Sequence, residues 1–259
     1  MKNLVDSLAR NLQEAVENVV YLDHVDSTHA LSLRIMDHMD GQGLELGPTV
    51  IIAGQQTLGR GRGDRRWESP AGGLYLSWAR SGLARDTITA LPMLAAAAAF
   101  RAITENGVAG AGIKWPNDIV VDGKKLAGIL IHVRGGEGGW ATVGLGINLR
   151  AAPDVSHTTA AAATAMADLV ESAPFERWCV EITTAFIASL TRFLADPGPA
   201  LDLWRRRLIH RAGEPLSVRL GGGKTLTGTY QGLTEEGFLR LGINGAERTI
   251  TSGDIFEGG

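Results

Sequence analysis

The feature that most constrains the fold is a pair of apolar runs, residues 119–121 and 126–131, separated by Asp-Gly at residues 122–123. Asp-Gly between two apolar runs is a strong signal for a tight β-hairpin, because both turn residues tolerate a positive φ. The hairpin places Lys125 at the start of the returning strand, where its neighbours hold it more firmly than a loop would. Gly128 inside that strand indicates that a ligand or another backbone comes very close.

A second feature is the segment 59–67, which contains four arginines and three glycines in nine residues. Glycines let backbone amides approach a ligand, and guanidinium groups match phosphate or carboxylate oxygens in pairs. Strand-like residues at 49–53 and 73–78 flank this segment, so we expect a loop between two strands. From the residues alone, the loop either closes over an anion or is an exposed segment that contacts RNA non-specifically.

The remainder of the first 210 residues predicts both helices and strands. Helical spacing begins at residues 29–39, where Asp26 or Ser27 is a suitable N-cap, and residues 140–149 are strand-like. The alanine run at 95–99 suits close packing of a helix on a sheet, so we expect it in the core. Further helices are predicted over residues 86–106, 160–170, 174–194 and 201–210.

Beyond Arg211 the sequence changes to short strands separated by turn residues, which is typical of a small β-barrel. We therefore divide the chain into a catalytic-type domain of residues 1–211 and a barrel of residues 212–259. The predicted fold class is α+β, in which a mixed sheet with helices mostly on one face precedes the barrel.

Composition restricts the partners and location of the protein. Its 259 residues carry a formal net charge of −3, so no global charge attracts it to nucleic acid or to anionic membranes. The single cysteine, Cys179, forms no internal disulfide, which favours the reducing cytoplasm. The histidines have no spacing typical of metal ligands, and no apolar run is long enough for a membrane span.

The order of the motifs resembles that of the biotin protein ligases from about Val25 to Phe256. The resemblance implies a catalytic domain of the biotin/lipoate ligase type, similar to class II synthetases, followed by an SH3-like barrel. The motifs are, in chain order, Asp26-Ser27-Thr28, Gln56 with Gly59-Arg60-Gly61-Arg62, Trp67 with Ser69-Pro70, Lys114-Trp115-Pro116-Asn117-Asp118, residues 125–130, and Gly144-Leu145-Gly146-Ile147-Asn148.

This resemblance implies an ATP-dependent ligase with two chemical steps. Biotin would be activated as biotinyl-AMP, and the biotinyl group would then pass to a lysine of a biotin carboxyl carrier protein, such as a subunit of acetyl-CoA carboxylase. Mg²⁺ would enter with ATP and not through a cluster of side chains. The resemblance also implies a possible homodimer.

The resemblance assigns catalysis to Arg62, Lys125 and Asp118. Lys125 would bridge the biotin carboxylate and the α-phosphate, Arg62 would close over the acyl-phosphate, and Asp118 would orient or deprotonate the acceptor amine. The implied biotin-binding residues are Ser27, Thr28, His29, Gln56, Gly59, Arg60, Gly61, Arg62, Lys125, Gly128, Gly144 and Gly146. The implied ATP-binding residues are Arg60, Arg62, Arg65, Trp67, Lys114, Asn117, Lys125 and Asn148.

Several of these residues also have a purely structural interpretation. Ser27 can act only as an N-cap, and Lys114 can pair with Asp118 at the surface. Trp67 can anchor the loop, and Asn148 can hydrogen-bond at the end of its strand.

The sequence departs from the family pattern at three places. Gly63-Asp64 puts a carboxylate beside the intended anion site, which would weaken retention of the adenylate unless the following arginines neutralise it. His29 stands where asparagine is common. The chain before Asp26 is too short for the DNA-binding domain of the bifunctional members, so we expect no nucleic-acid partner.

Two other functions remain open from the sequence. One is a lipoate or octanoate ligase or transferase, which shares the catalytic fold but lacks this combination of motifs. The other is a non-catalytic sensor that binds biotin or nucleotide without turnover.

Overall fold

Two β-sheets and the helices around them form the part of the chain described by the computed structural model, residues 2–63, 65–136, 138–153 and 162–256. The helices are α1 (Lys2–Leu12), α2 (Thr28–Gly41), α3 (Arg85–Glu105), α4 (Phe175–Ala195) and α5 (Gly198–Arg207). The first sheet contains β1 (Asn18–Val25), β2 (Thr49–Gln56), β3 (Leu74–Leu83), β4 (Ala111–Lys114), β5 (Asp118–Val121), β6 (Lys124–Arg134) and β7 (Gly139–Ile147). The second contains β8 (Pro215–Arg219), β9 (Thr225–Leu233), β10 (Leu239–Ile243), β11 (Ala246–Ile250) and β12 (Asp254–Phe256).

The first sheet is mixed, as predicted. Its strand order is β1-β2-β3-β7-β6-β5-β4, in which β1 pairs with β2 in parallel and the other neighbours are antiparallel. The predicted hairpin joins β5 to β6, and its turn residues Asp122 and Gly123 have φ angles of 48° and 72°. Lys125 lies near the start of the returning strand, where the sequence places it.

The two faces of this sheet are covered differently. Trp78 and Val143 belong to the main core, where α3 packs on the sheet and on α4. Their strand neighbours Ala79 and Thr142 point to the opposite face, because side chains alternate along a strand, and there they meet α2. Most helices therefore cover one face, and α2 lies on the other.

The long apolar helices α3 and α4 are core elements. Although neither contains an uninterrupted apolar run of 18 residues, each has 21 residues and the length and average composition to cross a membrane. Of the most apolar 18 residues of each helix, 61% and 50% respectively are buried inside the protein. Residues 95–99 of α3 are all fully buried, which confirms the prediction that the alanine run packs in the core.

The second sheet is antiparallel, with strand order β11-β10-β9-β8-β12. It attaches to the first through buried Trp115, whose Nε1 donates a hydrogen bond to the carbonyl of Gly237 (3.0 Å). The backbone N–H of Trp115 donates to Nε2 of His210 (3.3 Å). Burial, assisted by the charge of Lys114, lowers the pKa of His210 to about 4, so this imidazole is a neutral acceptor at pH 7.

The predicted helix over residues 160–170 is wrong in the part that the structure describes. Residues 154–161 lie outside the described residues, and the remainder of the predicted 160–170 helix contains only a 3-10 turn, Met166–Asp168. Ala163 instead forms a β-bridge with Lys125, and the backbone N–H of Lys125 donates to the carbonyl of Ala162 (2.7 Å). Pairing with the sheet overrides the helix propensity of alanine at this position.

Helix α1 was not predicted from the sequence. Its apolar side chains Leu4, Leu8 and Leu12 recur every four residues and are buried in the main core, where the helix packs on α4.

We predict that Leu8→Ala destabilises the protein, because this side chain of α1 is completely buried in the main core. Removing such a side chain leaves a cavity, and the free energy of unfolding should fall by about 2–5 kcal/mol in urea titrations. Asp6→Ala, at an exposed position of the same helix, serves as the control and should change it by less than about 0.5 kcal/mol. Equal stability of Leu8→Ala and wild type would mean that α1 is not part of the core.

Candidate active site

The arginine and glycine segment folds back on itself between β2 and β3. The backbone N–H of Gly61 donates to the carbonyl of Arg65 (2.8 Å), and that of Trp67 donates to the carbonyl of Gly59 (3.0 Å). A Cβ at Gly59 would lie 2.3 Å from the carbonyl oxygen of Trp67. Glycine at this position therefore allows the loop to close on its own backbone.

Beyond Arg62 the loop reverses at Gly63, whose φ of 61° lies in the left-handed region. Asp64 lies outside the described residues. The effect of its carboxylate on ligand retention therefore stays a prediction.

Three glycines form a floor beneath the loop, on the same face of the sheet as α2. Gly128 and Gly146 are opposite each other on β6 and β7, and a Cβ on either would meet the ring of Trp67, at 2.9 and 2.6 Å respectively. A Cβ at Gly144 would lie 3.2 Å from Nδ1 of His29. The close approach predicted at Gly128 is thus made here by an indole ring and not by backbone.

Lys125 lies beside this floor and is held on several sides. Its ammonium lies 2.8 Å from Oδ1 of Asp118 and 5.2 Å from the centre of the Trp67 ring, which makes a cation–π contact. Its backbone also receives a hydrogen bond from the N–H of Thr164 (3.0 Å). The pairing places Asp118 with Lys125 and not with Lys114, although Lys114 is its cross-strand partner on β4.

Arg62 approaches the same region from the loop. Its Nη1 donates to Oδ1 of Asn117 (3.4 Å) and to the carbonyl of Gly253 (3.1 Å), and it lies 3.6 Å from Oδ1 of Asp254. Burial lowers the pKa of Arg62, which the negative charge of Asp254 opposes. Arg62 and Lys125 therefore contact two adjacent residues, Asn117 and Asp118, at the start of β5.

A polar network connects the start of α2 with the end of the loop. Gln56 Oε1 accepts from the backbone N–H of Thr28 (2.8 Å) and from its hydroxyl (3.2 Å), while its Nε2 donates to Ser69 Oγ (2.8 Å). Ser77 Oγ donates to the hydroxyl of Thr28 (2.9 Å). Ser27 accepts from the backbone N–H of Ala30 (3.3 Å), which confirms it as the N-cap of α2.

His29 is buried on the first turn of α2, and its Nδ1 has no hydrogen-bond partner among the described residues. Burial, together with the charges of His132 and Arg60, lowers its pKa to about 4. The imidazole is therefore neutral at pH 7. The indole Nε1 of Trp67 is similarly buried without a partner in the described part of the chain.

Two of the predicted site residues have structural contacts of their own. Asn148 is buried, and its Nδ2 donates to the carbonyls of Thr164 (3.0 Å) and Lys125 (3.4 Å). It therefore ties the 162–166 segment to the strand that carries the lysine. Lys114 lies instead towards His210 at the junction of the two sheets.

Sequence reasoning missed Ser77 and Asp254. Ser77 could have been found, because it is a polar residue among apolar neighbours on a buried strand. Asp254 had no such signal, since it follows Arg62 by 192 residues and meets it only through the fold.

Comparison with known proteins agrees with this arrangement. The model of the biotin/lipoate A/B protein ligase family matches residues 22–148, and that of the biotin protein ligase C-terminal domain matches residues 213–258. The chain belongs to the biotin/lipoate A/B protein ligase family. The predicted α+β fold class, a mixed-sheet catalytic domain followed by a small β domain, is therefore confirmed.

Relatives within the family include biotin–[acetyl-CoA-carboxylase] ligases. That of Paracoccus denitrificans is 30% identical, and the match covers 92% of this chain and 100% of the relative. That of Mycobacterium tuberculosis is 28% identical over 82% of this chain and 80% of the relative. The biotin protein ligase of Aquifex aeolicus, solved with biotin and ATP, has a TM-score of 0.69 and 25% identity, covering 93% of this chain and 98% of that one.

We predict that buried His29 makes the protein sensitive to acid. A pKa of about 4 in the folded state and about 6.5 in the unfolded state means that the unfolded chain binds more protons between these values, so stability falls as pH falls from 6.5 to 4. Between pH 7 and pH 5 the free energy of unfolding of wild type should fall by about 2 kcal/mol more than that of His29→Asn. His24→Asn, at an exposed position, should follow wild type, and identical pH profiles for all three proteins would contradict the prediction.

Proposed function

We propose that this protein is an ATP-dependent biotin–protein ligase. It activates biotin as biotinyl-AMP and transfers the biotinyl group to a lysine of a biotin carboxyl carrier protein. The observation that carries the proposal is the convergence of Arg62 and Lys125 beside Asn117-Asp118, above a glycine floor, in a chain of this family.

The first step joins two anions, and positive charge makes that possible. A carboxylate oxygen of biotin attacks the α-phosphorus of ATP, the bond to the β-phosphate oxygen breaks, and pyrophosphate leaves. Lys125 supplies a compact charge between carboxylate and α-phosphate, and Arg62 supplies a planar fork for the phosphate oxygens. Both cations are held before the ligand arrives, so little reorganisation is needed during the reaction.

In the second step the amine of the acceptor lysine attacks the acyl carbon of biotinyl-AMP. The acyl carbon–oxygen bond breaks, AMP leaves, and the nitrogen loses a proton. Asp118 is proposed to orient the amine or to accept that proton, because its 2.8 Å ion pair with Lys125 places its carboxylate beside the proposed reacting centre. An arriving lysine amine would contact the same carboxylate.

The biotin pocket is proposed to lie between the start of α2 and the glycine floor. Biotin has a mostly apolar bicycle with a ureido group, so its pocket needs an apolar slot with a few fixed polar groups. Thr28, Gln56 and the neutral His29 supply such groups, and Gly144 allows the His29 ring to lie close to the sheet. The proposed biotin set is completed by Ser27, Gly59, Arg60, Gly61, Arg62, Lys125, Gly128 and Gly146. The proposed ATP set consists of Arg60, Arg62, Arg65, Trp67, Lys114, Asn117, Lys125 and Asn148.

Mg²⁺ is proposed to arrive with ATP. In the described ranges no group of three or more histidine, cysteine, aspartate or glutamate side chains is arranged to hold a metal ion. The phosphate oxygens of ATP, together with water, are suitable ligands for this hard cation. Bound in this way, Mg²⁺ would help to neutralise the departing pyrophosphate.

The remaining predictions also stay proposals. They are a carrier-protein subunit of acetyl-CoA carboxylase as acceptor, a cytoplasmic location, a possible homodimer, the absence of a nucleic-acid or membrane partner, and the division of the chain at 211/212.

The proposed function is tested by incubating the protein with ATP, Mg²⁺ and biotin, with and without a biotin-acceptor domain. We expect pyrophosphate and biotinyl-AMP in both reactions, and a mass increase of one biotinyl group on the acceptor. Lipoate and octanoate should be poor substrates. Efficient octanoyl transfer without activity on biotin would favour the lipoate or octanoate ligases, and tight biotin binding without turnover would favour a sensor.

We predict that Lys125→Ala impairs adenylation and leaves the fold intact. Loss of a fixed charge beside the reacting oxygens should cost about 3–4 kcal/mol, a decrease of roughly a hundred- to a thousandfold in the rate of pyrophosphate release. Lys124→Ala removes an exposed lysine from the same hairpin, and that variant should retain the wild-type rate. A wild-type rate for Lys125→Ala would exclude Lys125 from the reaction.

A further inference from the structure

The last strand of the C-terminal sheet reaches the arginine loop. Asp254, the first residue of β12, lies with its Oδ1 2.9 Å from Nη2 of Arg65 and 3.6 Å from Nη1 of Arg62. Nε of Arg65 also donates to the carbonyl oxygen of Arg62 (3.1 Å). Asp254 therefore contacts the side chain of Arg62, and Arg65 contacts its backbone.

The attachment point on the C-terminal sheet is rigid. Gly253 is buried, and a Cβ there would lie 2.5 Å from Cγ1 of Val218 and 3.0 Å from the carbonyl oxygen of Arg219. The backbone at this position is thus packed tightly against β8. Its carbonyl, which accepts from Nη1 of Arg62 at 3.1 Å, is held in place by that packing.

The contacts of Arg62 are concentrated on one nitrogen. Nη1 meets Asn117, Gly253 and Asp254, whereas Nε and Nη2 donate no hydrogen bond to the described residues. The Nε–Nη2 edge of a guanidinium is the edge that binds two oxygens of a phosphate or carboxylate at once. The C-terminal sheet therefore fixes Arg62 by one end and leaves this edge open.

We propose that Asp254 is a positioning residue for ATP in the adenylation reaction. Its carboxylate aligns Arg62, with the help of Arg65, so that the open edge of the guanidinium meets the phosphate oxygens of the nucleotide. This inference rests on the proposed ligase function. It assigns the C-terminal sheet a direct part in the first step, although that sheet contributes none of the proposed catalytic residues.

A different role for the same contact has the opposite consequence. If Asp254 acted as a competing anion that must be displaced by ATP, its removal would strengthen ATP binding. If Asp254 instead aligns Arg62 through Nη1, its removal should raise KM for ATP. The Arg62 side chain would then adopt more orientations in the free protein and would lose more conformational freedom when ATP binds. The sign of the change in KM for ATP separates the two roles.

The test is the steady-state rate of pyrophosphate release by Asp254→Asn with ATP or biotin varied in turn. Asparagine preserves the shape of the side chain and removes its charge. We expect kcat/KM for ATP to fall by about tenfold, with KM for biotin within about twofold of wild type. Glu247→Gln is the matched control, because it removes a carboxylate that lies 3.6 Å from Arg240 in the same sheet, and it should leave both values unchanged.

A double-mutant cycle shows whether Asp254 acts through Arg62. In the Arg62→Ala background, Asp254→Asn should change kcat/KM for ATP by less than about twofold, because the group that it aligns is gone. Three outcomes would each overturn the proposal. The first is that the effects of Asp254→Asn and Arg62→Ala on kcat/KM for ATP are fully additive, and the second is that Asp254→Asn lowers KM for ATP. The third is that Asp254→Asn reduces kcat/KM equally for ATP and for biotin and also lowers Tm. If wild type forms no biotinyl-AMP, the ligase function itself fails; if only Asp254→Asn is unaffected, this inference alone fails.

Discussion

The structure of the site depends on holding several positive charges close together before any anionic ligand is bound. Three of these cations have a carboxylate beside them: Asp118 lies 2.8 Å from Lys125, and Asp254 lies 2.9 Å from Arg65 and 3.6 Å from Arg62. These pairs are partly exposed, so they add little to stability. Their importance is geometric, because they fix where the charges are and leave donors for a ligand.

A second constraint is space. The sheet can bring the Trp67 ring and the His29 imidazole down to its surface only because β6 and β7 carry glycine at three neighbouring positions on one face. The opposite face of the same strands carries large apolar side chains and packs on α3. One sheet therefore separates a core that provides stability from a face on which the aromatic rings of the proposed site lie close to the strands, and the alternation of side chains along the strands makes both possible.

Much of this arrangement was predictable, but only where the signal is local. The Asp-Gly turn placed Lys125 correctly, and the strand-like residues around the arginine segment predicted a loop between β2 and β3. The 160–170 helix was wrong in its described part, because pairing with β6 overrides the helix propensity of alanine: Ala163 bridges to Lys125, just beyond the point where β6 stops pairing with β7. Helix α1 was missed although its leucines have helical spacing.

The sequence by itself determined the chemistry and the family: which cations, glycines and polar residues are present, and in which order. Turns, caps and strand alternation are decided by neighbouring residues, so they can be deduced from a single chain. Only the tertiary structure decided the partners. Asp118 forms its ion pair with Lys125 and not with Lys114, and Arg62 lies beside Asp254, which is close to the C-terminal end of the described chain. The pairing of Arg62 with Asp254 depends on how the two sheets pack, and packing is set by the whole core and not by any short segment.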